Sequence, residues 1–157
     1  MSTKLLLVRH GRAGHRSRWE GDDRLRPLSR KGKEQAEKLV GLLRPFQPAR
    51  VLSSPYLRCV QTVEPLAGAL RLDVVDADEL AEGNGRKAIE LVRGLTESDD
   101  TVVVCTHGDI VPEMLEHLAS ADHLHLPRDA RWPKGSAWVL SASDGRFDHA
   151  LYLPPPA

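Results

Sequence analysis

Arg9-His10-Gly11 and Thr106-His107-Gly108 hold the residue types best suited to chemistry in this chain. Each triplet stands at the end of an apolar run, Leu5-Leu6-Leu7-Val8 in the first case and Val102-Val103-Val104-Cys105 in the second. Runs of consecutive large aliphatics fit strands buried on both faces, the habit of parallel sheets. Open α/β sheets place their ligand sites at the carboxyl ends of such strands. If the two strands lie side by side, His10 and His107 emerge at one edge. Two histidines and an arginine beside two glycines then make a cationic pocket, whose natural guest is an anion.

The elements that must position these residues are readable from the rest of the chain. With 157 residues, 41% of them hydrophobic and 4% aromatic, the length fits one domain (1–157) with a sizeable core. Lysine plus arginine and aspartate plus glutamate number 22 each, so net charge points to no nucleic-acid polymer as partner. The distribution is uneven: residues 1–58 hold 14 basic and 5 acidic side chains, which gives this third a local positive potential. There is no apolar stretch of membrane-spanning length, and Met1-Ser2-Thr3-Lys4 leads straight into a strand rather than a signal peptide. Two cysteines make neither a disulfide framework nor a zinc site. The expectation is a cytoplasmic protein without membrane contact.

In chain order, a first strand over about 3–8 gives way to a polar, glycine-rich loop over 11–24, a candidate wall of the site. Ser29 suits the N-cap of a helix over about 30–44, whose apolar face is Ala36, Leu39, Val40 and Leu43 and which Pro45 and Pro48 end. A short strand follows at 50–53. Ser54-Pro55-Tyr56-Leu57-Arg58 then reads as a helix start, with Ser54 as cap and Pro55 at the first helical position. An arginine in that first turn opposes the helix dipole, unless both face a bound anion. Taken alone, Arg58 fits that role or an ordinary solvent-facing one. Pro65 is expected to interrupt or restart this helix, which runs to about Leu70.

A weak edge strand at 72–75 is followed by an acidic loop over 76–85, the composition of a solvated surface. A helix is expected over 86–97, the second central strand after Asp99-Asp100, and a helix from Gly108 carrying Ile110, Val111, Met114, Leu115 and Leu118. Residues 120–135 read as irregular. Strands at 137–140 and 149–153 form a terminal hairpin around Ser143-Asp144-Gly145, and Pro154-Pro155-Pro156 makes an extended tail. His123 and His125 lack a third ligand at metal spacing. Cys105 reads as a small core residue and Cys59 as a helix-packing one, with no evident base or partner. Trp19 and Trp132 fall in loops that could line a cleft.

Arg9-His10-Gly11, the arginine of Ser53-Ser54-Pro55-Tyr56-Leu57-Arg58-Cys59-Val60-Gln61-Thr62, and Thr106-His107-Gly108 together resemble the histidine phosphatase superfamily, which includes the phosphoglycerate mutases. Three motifs in order, each at a strand or helix terminus, make a specific match over about residues 4–118, which also takes in Arg26-Pro27-Leu28-Ser29-Arg30-Lys31-Gly32. The small size and the Arg-Pro-Leu segment look most like SixA-type phosphohistidine phosphatases. They look equally like the phosphatase-like domain that follows a Nudix domain in some actinobacterial nucleotide hydrolases.

The resemblance implies a three-layer α/β/α fold with a mainly parallel sheet. It also implies a phosphatase that needs no metal or other cofactor. His10 would be the nucleophile, forming a phosphohistidine that water hydrolyses. Arg9, Arg58 and His107, with Gly108 beside them, would hold the phosphoryl oxygens. A neutral His10 and a protonated His107 place opposite demands on pH, so activity would be bounded on both sides. Arg16 is a supporting phosphate contact, with His15 behind it. The remaining loop arginines 12, 18 and 24 read as solubility. Glu82, in Leu80-Ala81-Glu82, matches the context of the proton donor of ester-cleaving members, with Glu79 in reserve. The partner is then a phosphorylated substrate, either a phosphohistidine protein or a small metabolite or nucleotide. A compact chain without a lid favours an open site that takes a protein side chain, and it disfavours a mutase, which needs a closed one. A phosphate-binding regulatory module without catalysis is the reading from another class.

Overall fold

The computed structural model describes residues 2–157. Its centre is β1 (Ser2–Arg9), whose Leu5, Leu6, Leu7 and Val8 are all 1% exposed or less. Alternation along the strand sends these four side chains to opposite faces. Leu5 and Leu7 join one apolar cluster, while Leu6 and Val8 join the other. Along β4 (Thr101–Thr106), Val102 and Val104 likewise join the first cluster and Val103 and Cys105 the second.

Each face is covered by two helices. The first cluster includes residues of α3 (Gly85–Leu95) and α4 (Ile110–Ala121). The second includes residues of α1 (Arg30–Leu43) and α2 (Leu57–Leu70). The result is the expected three-layer α/β/α arrangement, and its two apolar faces explain why the strands read as unbroken aliphatic runs.

The six-stranded sheet runs β3-β2-β4-β1-β5-β6, where β2 is Arg50–Ser53, β3 Val74–Asp76, β5 Ala137–Ser143 and β6 Arg146–Leu153. β3, β2, β4 and β1 are mutually parallel, and β5 and β6 are added antiparallel. β1 pairs with β4 in a register that sets Arg9 opposite Thr106, and His10 N donates to Thr106 O at 3.1 Å. His10 and His107 therefore leave the sheet at the same edge. Ser53 pairs with Cys105 and Asp76, so Ser54 and the 77–84 segment arrive there too.

Several local expectations are corrected. α2 begins at Leu57 with Tyr56 at the N-cap, not at Pro55 under a Ser54 cap; the Ser54 hydroxyl accepts from Tyr56 N at 3.3 Å and also lies 2.8 Å from His107 Nε2. α2 passes through Pro65 unbroken. Burial of Thr62, Val63, Leu66 and Ala67 on either side offsets the roughly 3 kcal/mol a helical proline costs. The edge strand lies at Val74–Asp76 rather than 72–75, and α3 starts one residue early and ends two residues before the expected 97. The acidic segment is not a free solvated run: Leu80 is fully buried, and Thr106 Oγ1 donates to its carbonyl at 2.7 Å. The 11–24 loop contains two short 3-10 turns, Arg16–Arg18 and Asp23–Leu25. The terminal hairpin is longer than expected and closes on Asp144 and Gly145, both at positive φ, the two-residue turn that matches strand twist. No helix among the described residues is long and apolar enough to cross a membrane.

Candidate active site

At the carboxyl edge of the parallel strands lies a cavity of about 560 Å³. Arg9, His10, Arg16, Arg58, Glu82 and Gly108 all line it, and so does His15. Glu79 does not. His107 is 1% exposed and sits behind the wall, its ring 5.5 Å from that of His10. His10 and His107, about a hundred residues apart in the chain, are thus brought together by the β1–β4 pairing.

His10 is held by its own backbone. Its Nδ1 lies 2.8 Å from the Gly11 carbonyl, which can only accept, so Nδ1 carries the proton and Nε2 keeps the lone pair. Burial, and after it the charges of His107, Arg58 and Arg9, outweigh that hydrogen bond and push its pKa down to about 3. The ring is neutral across the physiological range. A lower pH limit set by this imidazole, as the resemblance implies, would fall well below the ordinary histidine range.

A stability prediction follows from the same shift. The unfolded chain protonates this histidine near 6.5, the folded one only near 3, so between those values the unfolded state binds more protons. His10's contribution is full above pH 6.5 and falls as pH drops toward 3. Urea midpoints measured over that window should show a decline that is shallower in His10→Gln; identical slopes would refute the neutral, buried imidazole.

Arg58 is 1% exposed and forms the hub of the site. Its Nη1 donates to the Asp23 carbonyl at 2.9 Å, and its Nη2 to Asp23 Oδ2 at 3.1 Å and Glu82 Oε1 at 3.4 Å. The Tyr56 ring lies 4.9 Å from its guanidinium carbon. Glu82 Oε1 also accepts from Arg16 Nη2 at 2.7 Å and stands 4.0 Å from His107 Nδ1. Arg9 Nη1 donates to the Trp132 carbonyl at 2.9 Å. The Nε atoms of both Arg9 and Arg58 are buried without an acceptor among the described residues, an arrangement worth roughly 1–3 kcal/mol of penalty each. A Cβ on Gly108 would come within 2.6 Å of the Arg9 guanidinium, so glycine is what lets that side chain lie across the turn.

Some working parts were not singled out from sequence. Asp23 links Arg58 to Arg26, accepting from Arg26 Nε at 2.9 Å. Burial would raise the Asp23 carboxyl, but the Arg26 hydrogen bond and the charges of Arg58, Arg26 and Arg16 bring it below its usual value. Arg26 is 6% exposed and also donates to the Gly14 carbonyl, which ties down the loop. Thr62, one helical turn after Arg58, donates to the Arg58 carbonyl and accepts from Gly11 N at 2.9 Å, so it locks the Arg9-His10-Gly11 turn to α2. Ser54 Oγ lies 2.8 Å from His107 Nε2. The i, i+4 spacing of Arg58 and Thr62 was a usable signal; nothing in the charged run Glu20–Arg24 distinguished Asp23.

Two other expectations change. Cys59 does have a partner, since its Sγ is 3.6 Å from His107 Nε2. Burial would raise this thiol, but Cys105, His107 and Arg58 together pull it down. Trp19 does not line the cavity, and Trp132 contributes its carbonyl while its side chain packs against the core.

A cluster of arginines and histidines at a sheet edge, with one imidazole held neutral, can seat a tetrahedral anion and present a nitrogen lone pair to it. A profile of the histidine phosphatase superfamily (branch 1) matches residues 5–90. The chain belongs to this superfamily, and its sheet and flanking helices are the phosphoglycerate mutase-like α/β fold. Among individual proteins, it is 38% identical over 156 residues to the 8-oxo-(d)GTP phosphatase of Mycolicibacterium smegmatis, covering 97% of this chain and 48% of that protein. The chain thus spans about half the length of this curated relative. A SixA structure from Agrobacterium tumefaciens superposes with a TM-score of 0.79 at 27% identity, covering 97% of each chain. A SixA structure from Nakamurella multipartitia shares the fold at a TM-score of 0.79 and 24% identity, over 100% of this chain and 98% of its own.

Proposed function

We propose that this chain hydrolyses phosphorylated substrates in two steps through a phosphohistidine on His10, with no metal ion required. The observation that carries the reading is the state of His10: Nδ1 bonded to the Gly11 carbonyl, Nε2 bearing the lone pair, and a pKa near 3 that keeps it there. In the first step Nε2 attacks phosphorus and the bond to the leaving group breaks. The leaving atom takes a proton from the Glu82 carboxyl group. In the second, water attacks phosphorus, Glu82 removes its proton, the P–N bond breaks, and inorganic phosphate leaves with His10 neutral again.

Arg9, Arg58 and His107 stabilise the equatorial oxygens as charge spreads over them. Glu82 already rests on Arg58 and Arg16, and a phosphoryl dianion competes for those donors more strongly than a single carboxylate. Arg16 then both steers Glu82 and contributes a further phosphate contact. Ser54 and Tyr56 hold the His107 ring from two sides. Glu82→Gln is expected to lower kcat/KM for an alkyl phosphate by about 10²-fold while leaving p-nitrophenyl phosphate within about threefold, because only the poor leaving group needs the proton. Equal losses on both would remove Glu82 from the acid role.

The first substrate reading is protein phosphohistidine, in keeping with the 27% identical SixA structure from Agrobacterium tumefaciens. A second reading, a nucleotide, is favoured by the 38% identical relative. Mass spectrometry after mixing with p-nitrophenyl phosphate and EDTA, under alkaline denaturing quench, tests the shared chemistry. The expected result is a transient gain of one phosphoryl group mapped to His10. Turnover with the label on another residue, or with no label, would overturn the assignment.

A further inference from the structure

Beside the phosphoryl cavity a second one opens, about 790 Å³ in volume. The two share Arg9, His15 and Lys134, and beyond these the second is walled by Arg12, Arg30 and Lys31. No aspartate or glutamate lines it. In a chain with equal numbers of acidic and basic side chains, five full cations around one space without a carboxylate is a marked segregation. The phosphoryl cavity differs, since Arg16, Arg26 and Arg58 there all contact Asp23 or Glu82. In the second, Arg30 has Glu34 at 3.7 Å on the exposed face of α1, and Arg9 feels the charge of Asp109 from the phosphoryl side. Arg12, Lys31 and Lys134 have no ion pair among the described residues.

The walls are braced. Gln35 Oε1 accepts from Arg12 N at 2.9 Å, and Gln35 Nε2 donates to the Lys134 carbonyl at 3.2 Å. One side chain of α1 thereby joins the 11–24 loop to the 120–135 segment. Gly32 lets α1 sit directly on the loop, for a Cβ there would be 1.9 Å from the Arg12 carbonyl. These contacts fix the backbones that carry Arg12 and Lys134 side by side, while the cationic side chains of Arg12, Arg30, Lys31 and Lys134 stand exposed to solvent. Lys134 registers the crowding: burial first, then Arg9, Arg26, Arg12 and Arg58, depress its pKa. Arg30 and Lys31 add two positive charges to a helix first turn that contains no acidic residue. Like charges accumulated in this way repel one another until an anion arrives.

We propose that this cavity is a second anion subsite, which receives a further phosphate of a small oligophosphate whose terminal phosphoryl group lies against His10. The inference rests on the phosphatase reading and narrows its substrate class. The cavity's volume falls in the range of small-molecule sites. It joins the phosphoryl pocket through Arg9 and Lys134, so consecutive phosphates of one chain can occupy both. Lysines and arginines fit this role as point charges and forks for phosphate oxygens.

The test compares two inhibitors of p-nitrophenyl phosphate turnover, orthophosphate and inorganic tripolyphosphate, on the full chain and on the double variant Arg12→Gln, Lys31→Gln. Tripolyphosphate is expected to inhibit the natural chain at about tenfold lower concentration than orthophosphate, one added anion contact's worth. The double variant should lose most of that advantage. Its kcat/KM on p-nitrophenyl phosphate and its orthophosphate inhibition should stay within about twofold, because neither side chain reaches the transferred group. Equal inhibition by the two anions, or an advantage that survives the double substitution, would overturn the proposal. If p-nitrophenyl phosphate is not turned over at all, the phosphatase reading fails instead. Tripolyphosphate binding by calorimetry, on both forms of the protein, then still decides the subsite.

Discussion

Replacement of His10 by alanine is expected to lower kcat for p-nitrophenyl phosphate by roughly 10⁴-fold or more and to abolish the phosphoryl label. The nitrogen that forms the intermediate is gone, and the remaining arginines can only orient phosphate for direct attack by water. The fold should survive. His10 is bonded through its backbone to Thr106 and through its ring only to the adjacent Gly11 carbonyl, so the substitution strands no distant partner. Removing a buried, neutral imidazole also removes its acid sensitivity. A His10→Ala protein that folds and retains turnover within tenfold of the natural chain would exclude the covalent route.

Arg58→Met is the second large effect, and it differs in kind. The methionine keeps an apolar stem against Tyr56 but removes a guanidinium that spans Asp23 and Glu82. A loss of about 10³-fold in kcat/KM is expected, the range found when one charge-stabilising group is taken from a transferring phosphoryl. Here stability falls as well. The Asp23 carbonyl loses its donor, and two carboxylates are left 31% and 33% exposed beside each other without the buried cation. Because water still reaches both, the destabilisation should be about 1–3 kcal/mol rather than the larger cost of a fully buried broken pair. Urea unfolding reads the second effect separately from kinetics. Arg58→Lys, which keeps charge but not the fork, should recover more of the stability than of the activity. Near-normal turnover in Arg58→Met would remove it from the phosphate clamp.

His10 was legible in the sequence for a definite reason, whereas Arg58 taken alone fitted a solvent-facing role equally well. A strand buried on both faces must be apolar throughout, so Leu5–Val8 and Val102–Cys105 announce their place in the sheet, and whatever follows them must stand at its edge. Alternation then assigns their side chains to two helical layers, as the two apolar clusters record. Local rules served well where a bond is local. Ser29 caps α1 and accepts from Gly32 N, and Asp144-Gly145 closes the last hairpin. They misled where a side chain had a better distant partner. Ser54 has the type and position of a helix cap, yet α2 starts only at Leu57, and the hydroxyl, while accepting from Tyr56 N, is shared with the distant His107.

What the sequence determined by itself was therefore the α/β class and the strand edge that carries Arg9, His10 and His107; Arg58, Arg16 and Glu82 became candidates through the family resemblance. Tertiary structure alone decided how they are partnered. It turned the acidic 76–85 segment inward on Leu80, so that Glu82 reaches Arg58 and Glu79 does not reach the cavity. It made Asp23 and Arg26 part of the site, and it drew Arg12, Lys31 and Lys134 from three separate segments around one space through Gln35. Strand burial and periodicity act between neighbours in the chain and leave a pattern there. Ion pairs and charge clusters between loops depend on distances that only the closed fold sets, and a run of charged residues has no period from which to read them.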